Sequence, residues 1–204
     1  MSKEIHQLSP QKRARIEKFN NVRQSLLDNG YKEEILTIGA LKANFMVLVT
    51  SLPIAVVGWL LFSRIHKMDY LPGIPLWLFI VILIGIVIHE LIHGLVWGYF
   101  SKGKWKSIGF GVEWKYLTPY CTCSECLPYK AYVLGAIMPT IILGLIPYII
   151  SLATGSYFCL FFSLMLILGG GGDIYIIYSI RNYKNAILVD HPYLVGCVAY
   201  SKIL

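Results

Sequence analysis

Four apolar stretches, residues 43–63, 74–100, 131–153 and 157–180, each run past 20 residues with almost no charge. A bilayer's hydrocarbon core is about 30 Å thick and takes about 20 apolar residues per helix, so each stretch is long enough to cross. At 56% hydrophobic, the 204-residue chain holds more apolar residue than one soluble core requires. The expected fold is an all-α membrane protein forming a single integral membrane domain over 1–204. Its parts would be a cytoplasmic arm (1–41), four transmembrane helices, a cytoplasmic loop (101–130) containing β structure, and a cytoplasmic tail (181–204).

Basic residues set the expected orientation, because Lys and Arg accumulate on the inner side. Eight lie between Lys3 and Lys42, five in the loop (Lys102, Lys104, Lys106, Lys115, Lys130) and three in the tail, against Arg64 and Lys67 in the first connection. An even number of spans places arm, loop and tail together in the cytoplasm. The net charge of +7 then reads as attraction to an anionic leaflet, with membrane lipid as a partner and no nucleic acid. The first 41 residues show no short apolar core followed by a small-residue cleavage site, so the first span is expected to be permanent.

In the arm, Ser9-Pro10 reads as an N-cap with proline at the first helical position and Gly30 as a stop, giving a helix over about 10–29. Ile16, Phe19, Val22 and Leu26 share one face, which suits either a membrane surface or packing on the cytoplasmic loop. In the loop, Ile108, Phe110, Val112, Trp114 and Tyr116 alternate with polar residues and glycine, the period of a half-buried strand. Such a strand either pairs with an unwound peptide by strand addition or lies on the bilayer. Leu117 to Tyr129, with Pro119 and Pro128, is expected to be irregular.

The second span carries His89-Glu90-Leu91-Ile92-His93. Histidines four residues apart on a helix project from one face and can bind one Zn²⁺, while the glutamate lies about 100° round, near a water but outside the ligand set. An ion there would acidify that water, and Glu90 would accept its proton and pass it to a leaving amine, which is peptide-bond hydrolysis. Ionisable groups at mid-bilayer cost about 2.5–3.5 kcal/mol each, so three within five residues call for a compensating partner. The bland reading is a polar cluster that cements helix packing or lines a proton path.

A catalytic zinc usually has three protein ligands, and Asp173 is the acidic residue of the other spans, following Gly169-Gly170-Gly171-Gly172. Glycines permit close approach or unwinding that would bring the carboxylate to the metal. His93 and Asp173 each lie seven residues inside the cytoplasmic end of their spans, at roughly 10 Å depth. The competing reading is a buried carboxylate satisfied by another helix. His191 is an alternative ligand if the tail folds back; His6 lies in the arm, and His66 belongs at the opposite face. Cys121, Cys123 and Cys126 offer three soft ligands where a structural zinc wants four, so reduced thiols without a structural disulfide are expected. Asn44 either binds a substrate or caps its helix.

The order of these features resembles site-2 protease-type intramembrane zinc proteases. More closely, His89 to Cys197 resembles a bacterial family of zincin membrane peptidases, on His89-Glu-Leu-Ile-His-Gly94, Pro119-Tyr-Cys121, Gly135-Ala-Ile-Met-Pro139, Gly171-Gly-Asp173 and Asp190-His-Pro192. The resemblance implies His89, His93 and Asp173 as zinc ligands, Glu90 as the catalytic carboxylate, and a bacterial cell membrane. Site-2 proteases commonly carry Asn-Pro-Asp-Gly where this chain has Gly-Gly-Gly-Gly-Asp, so their substrate-polarising Asn has no counterpart. The expected function is an intramembrane zinc metalloprotease acting on peptides or transmembrane proteins near the cytoplasmic face. The alternative is a non-proteolytic membrane protein that uses the His/Asp cluster for metal or proton handling, a role that favours ionisable residues continuing into the outer halves of the spans.

Overall fold

The computed structural model describes residues 10–67, 73 and 75–202. Helix α1 (Pro10–Asp28) ends before Gly30, whose φ of +76° turns the chain directly into strand β1 (Tyr31–Ile38). Two long helices follow, α2 (Ala40–His66) and α3 (Leu76–Phe100). A 3₁₀ turn at Lys104–Ser107 leads into β2 (Ile108–Glu113), β3 (Thr118–Cys123) and the two-residue β4 (Leu127–Pro128). The third apolar stretch is α4 (Tyr129–Pro139), a π-helical turn (Thr140–Leu145) and α5 (Ile146–Thr154). In the π turn Ile146 donates five residues back to the Ile141 carbonyl, just ahead of Pro147, which has no N–H to give. The last helices are α6 (Tyr157–Gly169) and α7 (Gly171–Ile180), and β5 (Ile187–Asp190) and β6 (Val195–Lys202) end the chain.

Three helical segments, Leu41–His66, Leu76–Phe100 and Tyr129–Thr154, are long and apolar enough to cross a membrane. No more than 28% of the most apolar window of any of them is buried inside the protein, so their outward faces are apolar and need lipid. The fourth stretch departs from the expected single helix: α6 and α7 bend by 42° at the glycine run.

The all-α expectation needs a correction. Strands β1, β6, β5 and β4 form one antiparallel sheet in that order, with Tyr31 opposite Lys202 and Ile38 opposite Val195. Arm and tail are therefore partners in one sheet. Its two faces are both covered, which explains why β6 is nearly continuous in apolar residues. Cys197 and Ala199 point to a core with Trp97, Tyr132, Ala136 and Ile180 at the helix ends, while Val198 and Tyr200 point to Phe19, Val22 and Leu26 of α1. The amphipathic face of α1 thus packs on the sheet.

The loop also differs from expectation in its second half. Residues 118–123, expected to be irregular, form β3, paired along its whole length with β2 from Ile108–Cys123 to Glu113–Thr118. The strand expected through Tyr116 stops at Glu113, because the chain turns there and Leu117 takes a φ of +50°. Charges on α1 reach this hairpin: Lys12 pairs with Glu113 at 3.6 Å, and the Arg15 guanidinium stacks over Tyr120 at 5.1 Å.

Candidate metal centre

An uninterrupted α3 places His89, His93 and Trp97 above one another at four-residue intervals. The His89 and His93 rings lie 4.8 Å apart at 73°, and His93 stacks on Trp97 at 5.0 Å. Asp173, in the first turn of α7, meets both histidines: its Oδ2 lies 3.2 Å from His89 Nε2 and 3.4 Å from His93 Nε2. The donor atoms of the three residues all fall within 4.8 Å of one another, a grouping that could hold a metal ion. Two ligands at 2.0–2.1 Å from a tetrahedral zinc stand about 3.3 Å apart, so the carboxylate-to-imidazole spacings suit that ion.

Hydrogen bonding sharpens the point. His93 Nδ1 lies 2.8 Å from the Gly135 carbonyl oxygen, which can only accept, so Nδ1 carries a hydrogen. In a neutral ring Nε2 then presents a lone pair to a carboxylate oxygen, and that contact is repulsive without a cation between them. A proton on His93 or a metal ion supplies the charge, and holding Nδ1 by a carbonyl is how metal-binding histidines are usually oriented.

Glycines allow the site to close. A Cβ at Gly135 would fall 2.0 Å from Trp97 Nε1, and one at Gly94 would fall 2.5 Å from Phe110 Cζ. Gly94 and Gly98 receive Phe110, Ile108 and Trp105 of the loop. Strand β3, paired with β2, brings the Cys121 backbone within reach of Glu90, which is half-buried.

Sequence reasoning assigned Asp190 no role beyond its motif. It is the floor of a column that starts at the histidines. Trp97 stacks on Tyr132 at 5.4 Å and donates its Nε1–H to the Tyr132 carbonyl at 3.1 Å. The Tyr132 hydroxyl donates to Asp190 Oδ1 at 2.6 Å, and the Cys123 N–H donates to Oδ2 at 2.7 Å. Burial pushes the Asp190 carboxyl up to about 6, against the pull of those two hydrogen bonds. One carboxylate thereby ties α4, β3 and β5 together under the histidine column.

The other candidates fall elsewhere. His191 Nδ1 accepts from the Leu194 N–H at 3.1 Å, and its ring packs on Phe19 and Tyr193, so it braces the turn before β6. His66 meets the Leu152 carbonyl at the other end of the helices. Asn44 is exposed on α2, and His6 lies outside the described residues. All five cysteines are free thiols. Among the described residues, Cys121, Cys123 and Cys126 gather no ligand set. Burial pushes the Cys123 thiol up to about 11 and raises those of Cys121 and Cys126, disfavouring the thiolate that a metal requires.

No curated protein and no solved structure matches the chain. A family model does match, over residues 82–188, a stretch that runs from before His89 to beyond Asp173. Because that stretch is just over half of the chain, the protein belongs to the family described as "Putative zincin peptidase".

Proposed function

We propose that the protein is an intramembrane zinc metallopeptidase of the His-Glu-x-x-His type. It hydrolyses peptide bonds of membrane-embedded or membrane-proximal substrates near the cytoplasmic face of a bacterial cell membrane. The observation that carries this reading is the convergence of His89 and His93 Nε2 on one oxygen of Asp173, at 3.2 and 3.4 Å, with His93 Nδ1 committed to a carbonyl. His89, His93 and Asp173 would hold the ion. Bound there, zinc would supply Lewis acidity to a peptide carbonyl and to a water.

The chain's own residues do the rest. Glu90, next to His89 in sequence and outside the grouped trio, is placed to take a proton from the attacking water and deliver it to the leaving nitrogen. The Gly135 carbonyl fixes which nitrogen of His93 faces the ion. The hairpin, with β3 beside Glu90, forms a wall along which an unwound peptide can lie extended. The ligand order resembles that of site-2 proteases, with glycines where those enzymes carry Asn-Pro before the Asp.

Orientation is supported by the sheet. β1 precedes the first long helix, β4 follows the second, and β5 and β6 follow the last. Strands of one sheet lie on one side of the bilayer, which supports an even number of crossings with the bent pair α6–α7 as the fourth. Basic residues concentrate on that same side, which supports reading it as the cytoplasm.

The test is cleavage of co-expressed membrane substrates, together with metal analysis of the purified protein. Wild type should carry zinc and cleave; Glu90→Gln should keep its zinc and lose about 10²- to 10⁴-fold in rate, the usual contribution of a general base. Cleavage at the wild-type rate by Glu90→Gln would sink the proteolytic reading.

A further inference from the structure

Only one of the two ligand-bearing segments is continuous. Asp173 stands two residues past Gly171, directly after the 42° bend between α6 and α7. Whatever holds that bend sets where the third ligand sits.

Two hydroxyls of α2 reach it. Ser51 Oγ, fully buried, lies 3.1 Å from the Leu168 carbonyl on the α6 side and 2.6 Å from Val47 O of its own helix. Thr50 Oγ1 lies 2.8 Å from the Gly171 carbonyl on the α7 side and 2.8 Å from Met46 O. Each hydroxyl shares one proton between its own helix and the break. Leu168 O is among the last four carbonyls of α6, where regular helix bonding runs out; the Gly170 N–H turns to it and to Leu166 O, and the Ser51 hydroxyl adds a donor from α2.

The fit is close on both sides. A Cβ at Gly171 would fall 2.6 Å from Ser51 Oγ and 2.7 Å from Val47 O, so the α7 backbone rests on α2. Opposite, a Cβ at Gly170 would fall 2.1 Å from Thr140 Oγ1. The glycine run is the bare backbone that lets two walls close on a break, and α2 lies outside the stretch that carries the family match.

We infer that Thr50 and Ser51 are positioning residues for Asp173, their hydroxyls fixing the two sides of the broken segment so that the carboxylate meets the histidine pair. The inference rests on reading His89, His93 and Asp173 as a zinc site. Neither hydroxyl touches the ion or a substrate; each acts through the backbone that carries the ligand.

The experiment measures the zinc dissociation constant of the detergent-solubilised full chain by competition with a chromophoric chelator, and the visible spectrum of the cobalt-loaded protein. Thr50→Val and Ser51→Ala should each weaken zinc binding about ten-fold, the lower end of what removing a ligand's support costs, and shift the cobalt bands. Thr50→Ser, which keeps the hydroxyl, should match wild type. So should Ser63→Ala, which removes a hydroxyl of α2 bonded to the carbonyl of Trp59. Wild-type affinity and spectrum in Thr50→Val and Ser51→Ala of unchanged helical circular dichroism would overturn the inference, as would a loss in Thr50→Ser equal to that in Thr50→Val. Should Thr50→Val fail to fold, Ser51→Ala decides alone. Wild-type protein that binds no zinc would overturn the reading of the site itself, and this inference with it.

Discussion

Helix α3 and the α6–α7 segment supply the same site by opposite means. α3 presents His89 and His93 through local geometry: four residues of unbroken helix bring two rings to one face, whatever surrounds them. The α6–α7 segment presents Asp173 only because a bend, a run of glycines and contacts from α2 and from Thr140 hold it there. Two of the three candidate ligands are thus a property of one helix, whereas the third is a property of the assembly. Damage to the first pair must therefore hit the ligands themselves, while the third can be lost from a distance.

The largest effect should come from the ligands. His89→Ala, His93→Ala and Asp173→Ala should each reduce zinc content to substoichiometric and abolish cleavage, read by metal analysis and substrate processing. If Asp173→Ala retains wild-type zinc content, the third ligand is elsewhere and α6–α7 does not supply it.

Substitutions in the glycine run should have intermediate effects. Gly171→Ala would drive a Cβ against Ser51 and the α2 backbone, and overpacking of this kind costs about 1–3 kcal/mol, so both thermal stability and zinc affinity should fall. Gly169→Ala has nothing within 4 Å of its new Cβ and should leave both within error of wild type. Equal losses at the two positions would mean that glycine flexibility, not close approach, is what the run provides.

The smallest effect should lie at the floor of the histidine column and should depend on pH. Asp190 has its carboxyl raised to about 6 by burial, above its value of about 3.9 in an unfolded chain. A raised folded-state value favours the protonated form, so the contribution to stability is complete below about pH 4 and is lost as pH rises through about 6. Asp190→Asn, uncharged throughout, should flatten that part of the melting-temperature profile relative to wild type. Profiles that stay parallel between pH 4 and 7 would show that Asp190 does not titrate in this window.

Much of the candidate site is legible in the sequence. The His-Glu-x-x-His spacing names two donors and a carboxylate on one helix, and the lone acidic residue of the other spans, at matching depth, points to Asp173. The spans were legible for the same reason: length and hydropathy are local. The sheet was not. Tyr31–Ile38 and Val195–Lys202 are partners although Tyr31 lies opposite Lys202 and Ile38 opposite Val195, far away in the chain, and neither carries a pattern that identifies its mate. Asp190 was unassigned because its partners, the Tyr132 hydroxyl and the Cys123 N–H, come from elements that only the folded chain brings together.

Residues within a few turns of one another encode the apolar segments, the uneven distribution of basic residues between them, and a helix face bearing two imidazoles. Tertiary structure alone decided that arm and tail share a sheet, that the glycine run is a bend clasped by Thr50 and Ser51, and that a carboxylate arrives within 3.2 Å of His89. Those outcomes depend on contacts between segments far apart in the chain, where close packing and the pairing of buried polar groups select one arrangement that no local pattern encodes.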